Sequence, residues 1–126
     1  MKLHLENRAG LLLIQSCEPR AGARHRIRID GEWHERSLII TPRGVEMWEV
    51  GDARELRLAD FERLAALAPE VLLLGAGPRA VFPHAALTVP LMRARIGLEV
   101  MDTPAACRTY NILAGDGRNA AAALIA

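Results

Sequence analysis

Hydrophobic and polar residues alternate along much of the first half of the chain. Near residue 58 they give way to apolar runs separated by helical patterns. Arg26-Ile27-Arg28-Ile29 and residues 32–40 are period-two segments on either side of Asp30-Gly31, a strong short-range hairpin signal. Thr41-Pro42-Arg43-Gly44 predicts a second turn, and alternation resumes over 45–50. Ahead of these, Arg8-Ala9-Gly10 reads as a turn, 11–16 as a short strand and 18–22 as a loop. The first half is expected to be an antiparallel β unit.

The second half alternates element types. Asp60 is placed as the N-cap of a helix whose apolar positions, Phe61, Leu64, Ala65, Leu67 and Ala68, recur at helical spacing until Pro69. Residues 71–74 are continuously apolar, as in a strand covered on both faces. A Gly/Pro-rich loop follows, then a helix over 87–96 with Pro90 in its first turn, then a second buried strand at 98–101. Thr103 is read as the cap of a helix with Pro104 at its first position, running to about residue 114. Asp116-Gly117 turns the chain into a last strand at 121–125. Strands alternating with helices require crossover connections and hence a mixed or parallel sheet. The expected fold is α/β, an N-terminal β unit joined to a small α/β layer in one domain spanning 1–126. Its first 24 residues are weakly patterned.

Composition narrows the class of function. The chain has 126 residues, 51% hydrophobic and 25% charged, which suits a globular domain with a real core. A formal net charge of +1 gives no reason to expect nucleic acid or an anionic membrane as partner. Arg20, Arg24, Arg26 and Arg28 form a basic stretch without interleaved aromatics, better explained as a solvated strand face. No stretch approaches the roughly 20 apolar residues of a membrane-spanning helix. The start of the chain lacks the pattern of a signal peptide. Two widely separated cysteines, Cys17 and Cys107, allow a lone disulfide but read better as two thiols in a reducing compartment, so the expected location is the cytoplasm.

The chemistry-bearing residues gather at two predicted strand ends. Gly75-Ala76-Gly77-Pro78-Arg79-Ala80 follows a strand in the form GxGxxG/A, with Asp102 at the end of the next. A dinucleotide site needs a helix starting on the glycines with free backbone N–H groups. Pro78 removes one donor and Phe82-Pro83 defers the helix, so no nucleotide cofactor is expected. The glycines still make a turn, and adjacent strands would put Gly75, Gly77 and Arg79 on one rim with Asp102, Thr103, Cys107, Arg108 and Asn111. Ligands of open α/β sheets bind outside such carboxyl ends, and a helix start at Thr103 favours an anion. Cys107 lies early in that helix, where its thiol pKa could be lowered, with His84 the only histidine placed to act as its base. A packed structural thiol is the simpler reading. Arg108 and Asn111 could equally bond to nearby loops, including 75–83. Trp33 and Trp48 are expected to pack the β unit, or to serve as exposed anchors. No metal-ligand set and no complete catalytic set is present.

Several runs resemble one family. They are Pro69-Glu70-Val71-Leu72-Leu73-Leu74-Gly75-Ala76-Gly77, Phe82-Pro83, Gly97-Leu98-Glu99-Val100-Met101-Asp102-Thr103, and Ala105-Ala106-Cys107-Arg108-Thr109-Tyr110-Asn111-Ile112-Leu113. Gly117-Arg118, the apolar run 121–125, Ser37-Leu38-Ile39-Ile40, Pro42 and Trp48 agree. Over residues 25–126 the chain resembles the family of mitochondrial NADH dehydrogenase (complex I) assembly factor 3 and its uncharacterised bacterial relatives. The resemblance implies a three-layer α/β fold with a mixed central sheet, one strand antiparallel to the rest, and no established enzymatic activity. It also implies protein partners, in the mitochondrial members those of respiratory-complex assembly. The family's loop usually reads Gly-Thr-Gly, whereas Ala76 here lacks the hydroxyl, which weakens a small-ligand role. Lack of a mitochondrial presequence implies a bacterial protein.

The expected function is therefore a non-catalytic assembly or interaction protein without cofactor. Its client would be a protein, such as a respiratory or membrane-insertion subunit. The alternative is a small anionic-ligand binder or small enzyme on the same rim.

Overall fold

The structure, a computed structural model, describes residues 10–126. The turn expected at 8–10 begins outside them. Eight strands and three α-helices follow in order: β1 (Ser16–Arg20), β2 (Arg24–Ile29), β3 (Glu32–His34), β4 (Leu38–Thr41), β5 (Gly44–Met47), α1 (Leu58–Ala66), β6 (Val71–Gly75), α2 (Val89–Arg93), β7 (Gly97–Met101), α3 (Thr103–Gly115) and β8 (Ala120–Leu124).

The strands form two sheets, so the antiparallel first half is divided between them. β1, β2 and β3 make a three-stranded meander, while β4 and β5 join the main sheet, ordered β5-β4-β8-β6-β7. The β2–β3 hairpin turns at Asp30 and Gly31, with φ of 52° and 80°. Positive φ at both central residues is the turn that matches strand twist, and Asp-Gly favours it. In the main sheet β6 runs parallel to β7 and β8, and β4 pairs antiparallel with both β8 and β5. Only β4 thus runs against the rest, as the family resemblance implies.

Alternation along the central strands sorts side chains into two cores. Leu72, Leu74, Ala121, Ala123 and Ile39 face one side, with Trp48, Phe61 and Leu64, while α2 adds Leu91. Leu73, Ala120, Ala122, Leu124, Leu38 and Ile40 face the other, against Ala106, Cys107 and Tyr110 of α3 and Ile27 and Ile29 of the meander. Covered on both faces, β6 carries three leucines at 0% exposure. Each such leucine contributes roughly 1.5–3 kcal/mol relative to an exposed one. The layers are α1 and α2, then the main sheet, then α3 with the meander.

Several element positions differ from the sequence reading for local reasons. The first strand is Ser16–Arg20 rather than 11–16, because the β1–β2 loop needs only residues 21–23, with Gly22 and Ala23 at positive φ. Pro19 is tolerated because β1 is an edge strand. Asp60 sits at the third position of α1 rather than its cap. Its carboxylate accepts the Arg57 N–H at 2.9 Å, reaching back across the helix start. The helix expected over 87–96 splits into a 3-10 turn, Ala85–Thr88, and the short α2, with Pro90 at its start. β7 is an edge strand, partly exposed, and not the second buried strand. Asp102, not Thr103, caps α3, its Oδ1 accepting the Ala105 N–H at 2.8 Å. The helix ends where Gly117, at φ +83°, lets Arg118 N–H reach the Leu113 carbonyl at 2.9 Å.

Candidate functional site

Parallel pairing of β6 with β7 sets Gly75 opposite Met101, so the 76–84 loop and the start of α3 leave the sheet side by side. They are joined by hydrogen bonds. Ala76 N–H donates to the Met101 carbonyl and Thr103 N–H to the Gly77 carbonyl, at 2.9 and 2.8 Å. Thr103 Oγ1 accepts the Gly77 N–H at 2.9 Å and donates to the Ile125 carbonyl at 2.6 Å. The hydroxyl is fully buried, so it ties three segments together and faces no ligand. Gly75 is required by close approach. A Cβ there would lie 3.0 Å from Thr103 Cα and from Leu124 Cδ2. Gly77, at φ +105°, holds a conformation open only to glycine.

These bonds use the donors an anion would need. At the start of α3, Thr103 N–H goes to Gly77, Pro104 has none and Ala105 N–H goes to Asp102. Gly77 N–H is spent on Thr103. Geometry thus gives both the glycines and the helix start a structural use.

Arg79 is exposed and lines a cleft of about 470 Å³ with Gly77, Val81, Arg24 and Arg54. Arg54 is engaged within it, donating from Nε and Nη2 to both oxygens of Asp52 at 3.0 and 2.9 Å. That bond holds the Asp52 carboxyl well below the usual carboxylate range. Asp102, Thr103, Cys107, Arg108 and Asn111 do not line the cleft. The residues expected on one rim therefore separate into a loop-and-cleft group and a group on α3.

Of the α3 group, Asn111 and Cys107 face the N-terminal part of the chain, while Arg108 is exposed. Asn111 Oδ1 accepts the Ile14 N–H at 2.8 Å, and its Nδ2 donates to the Ile14 carbonyl at 2.7 Å. Tyr110 Oη donates to the Leu12 carbonyl at 2.8 Å. Burial pushes the Tyr110 phenol above its ordinary value, so it remains a donor. Asn111 thus bonds to Ile14, not to the 75–83 loop. Cys107 is buried in the core against which the half-buried Cys17 packs. The neighbouring Cys17 thiol, with burial, pushes the Cys107 pKa up rather than down. The neighbouring Cys107 lowers Cys17 against the opposing effect of burial, with a smaller push from the Arg108 charge. His84 does not serve as base here. It caps the 3-10 turn, Nδ1 accepting the Ala86 N–H at 3.0 Å.

Two residues escaped the sequence reading. His25 is 8% exposed, and its Nδ1 has no hydrogen-bond partner. Cys17 was not placed among the site residues. The signal was available in alternation: Cys17 pairs with Ile27, and Pro19 with His25, so all four share the core-facing side of the hairpin. The opposite side carries the arginines. Arg26 bonds Glu18 at 2.7 Å and lies 3.9 Å over the Trp33 ring. Trp48 is buried in the core under α1.

Residues 20–125 match the family described as "Protein of unknown function (DUF498/DUF598)". The chain belongs to this family. A similar relative is NADH dehydrogenase (ubiquinone) 1 alpha subcomplex assembly factor 3 of Danio rerio, 39% identical over 115 residues, or 90% of this chain. The chain spans 63% of that relative's length. Another is the 13 kDa major membrane protein of Francisella tularensis, 23% identical over 75% of this chain and 78% of that protein. Among solved structures, a Bordetella parapertussis protein superposes with a TM-score of 0.81 at 32% identity, covering 92% of this chain and 96% of its own. Among the described residues, no helix is long and apolar enough to cross a membrane, and no group of three or more metal-ligating side chains occurs.

Proposed function

We propose that this family member is a non-catalytic assembly or interaction protein that holds a protein client on its 78–84 loop and the adjoining cleft. The observation that carries this reading is Phe82. It is 73% exposed, beside exposed Val81, on a loop whose base is hydrogen-bonded to α3. A large apolar side chain displayed from a fixed base loses little entropy on binding and makes an effective anchor. Arg79 and Arg24 on the cleft favour a client segment that combines an apolar residue with acidic ones. The engaged side chains of Thr103, Asp102 and Asn111 leave no catalytic set at the strand ends, which also supports a holding role.

The assembly-factor relative supports a client drawn from a respiratory complex. A small anion is the weaker occupant, because the Thr103 and Ala105 donors are already used.

The test is affinity capture with gentle cross-linking from the source cells, comparing the native chain with Phe82→Ala and Arg108→Ala. The expected result is a client recovered with the native chain and with Arg108→Ala, and lost with Phe82→Ala. Capture that survives Phe82→Ala, or no client with any chain, would defeat the proposal.

A further inference from the structure

Cys17 and Cys107 lie ninety positions apart in sequence, yet they pack into one core. The clamp on the N-terminal segment explains why. Leu12 is held by Tyr110 and Ile14 by Asn111, so the segment crosses α3 at its middle. β1 then continues toward the start of the helix, where Cys17 joins the core that contains Cys107. The ladder fixes the facing: Cys17 is opposite Ile27, which is 0% exposed, so its side chain points inward. Both cysteines are free thiols and belong to that one core.

The two differ in access. Cys17 is half-buried, whereas Cys107 is 3% exposed. A small oxidant reaches Cys17 first, and Cys107 is the thiol beside it, shielded from other molecules. Arg108 contributes positive charge and Asp102 opposes it. Burial and the Arg20 charge lower the pKa of His25 on the same hairpin face, despite the opposing pull of Asp102. An accessible cysteine beside a protected resolving cysteine is the arrangement that favours an internal disulfide over further oxidation.

We propose that Cys17 and Cys107 form a peroxide-reactive dithiol that closes reversibly to a disulfide between β1 and α3. The Cys17 thiolate attacks one peroxide oxygen and the O–O bond breaks. The departing hydroxide takes up a proton to become water, leaving Cys17 as a sulfenic acid. The Cys107 sulfur then displaces the sulfenic hydroxyl, forming the S–S bond. The Cys107 proton leaves with that hydroxyl as a second water. Two thiols lose two electrons in total, and hydrogen peroxide gains them. The product fastens the three-stranded meander covalently to the helix that already clamps its leading segment. A dithiol reductant reopens it by exchange.

The experiment treats the native chain with stoichiometric hydrogen peroxide, alkylates the remaining thiols and maps the peptides without reduction. The expected product is a monomer lighter by two hydrogens, with a linked Cys17–Cys107 peptide and no alkylation, restored by dithiothreitol. In Cys107→Ser, Cys17 should persist as a sulfenic acid trapped by dimedone. In Cys17→Ser, Cys107 should stay unoxidised. The proposal is overturned if the native chain stays fully alkylatable, carries oxygen on Cys17 without the linked peptide, or is linked only between chains. The native-chain map decides the matter even if a variant misfolds.

Discussion

The side-chain amide of Asn111 grips both backbone groups of Ile14, at 2.8 and 2.7 Å, across 97 positions of sequence. An amide offers a donor and an acceptor side by side, which is what an extended residue presents along its edge. The pair does for residues 12–14 what a neighbouring strand would otherwise do. Only after this segment does β1 find a ladder partner in β2.

Removing that grip leaves the Ile14 N–H and carbonyl without their protein partner. Asn111→Ala is expected to destabilise the chain by about 1–3 kcal/mol. Tyr110→Phe, which frees only the Leu12 carbonyl, should cost about 1 kcal/mol. Denaturant unfolding measures both. Amide exchange at Ile14 should accelerate in the Asn111 variant by more than its global loss of stability accounts for.

Thr103 makes a second prediction because its hydroxyl is used twice in a dry site. Thr103→Val keeps the shape while orphaning the Gly77 N–H and the Ile125 carbonyl, for an expected loss of roughly 2–4 kcal/mol. Thr103→Ser keeps the hydroxyl and should lose only about 1 kcal/mol for the buried methyl. If the two variants unfolded at the same denaturant concentration, the hydroxyl would not be the tie described.

What could be read from the sequence was what is decided locally. Asp30-Gly31 announced its hairpin because positive φ at both positions is a property of those residues. The apolar run of β6 announced a strand covered on both faces. The division of the first five strands between two sheets was hidden, because β4 is recruited by β8 more than 80 positions later. For the same reason the rim residues looked alike in sequence. Thr103 turns into a buried tie, Asn111 holds Ile14, Cys107 packs in the core that Cys17 joins, and Arg79 remains exposed on the cleft. Spacing places a side chain on an element; long-range packing decides what it touches.

Gly75 tests the close approach of β6 to α3. An added methyl would meet the Thr103 backbone and Leu124 at 3.0 Å, and main chain at a helix start yields little. Gly75→Ala should cost about 1–3 kcal/mol from overpacking. By contrast, Gly44→Ala, with open space around the new Cβ, should change stability by no more than about 0.5 kcal/mol. Thermal unfolding of the two variants side by side makes the comparison.

His25 makes stability depend on pH in a predictable direction. Burial is the largest cause lowering its pKa from 6.5, and Arg20 adds to it against the opposing pull of Asp102. With the folded pKa below the unfolded one, the unfolded chain takes up the proton first as pH falls. The contribution of neutral His25 is therefore fully present above pH 6.5, and is lost progressively as pH falls from there through the folded value. The orphaned Nδ1 points the same way, since no acceptor waits in the core to hold a second N–H. His25→Gln removes the titration, so its stability relative to the native chain should improve as the solution is acidified below pH 6.5. Denaturant unfolding of both chains across that window reads the difference. A gap that stays constant with pH would mean His25 titrates alike in the folded and unfolded chain.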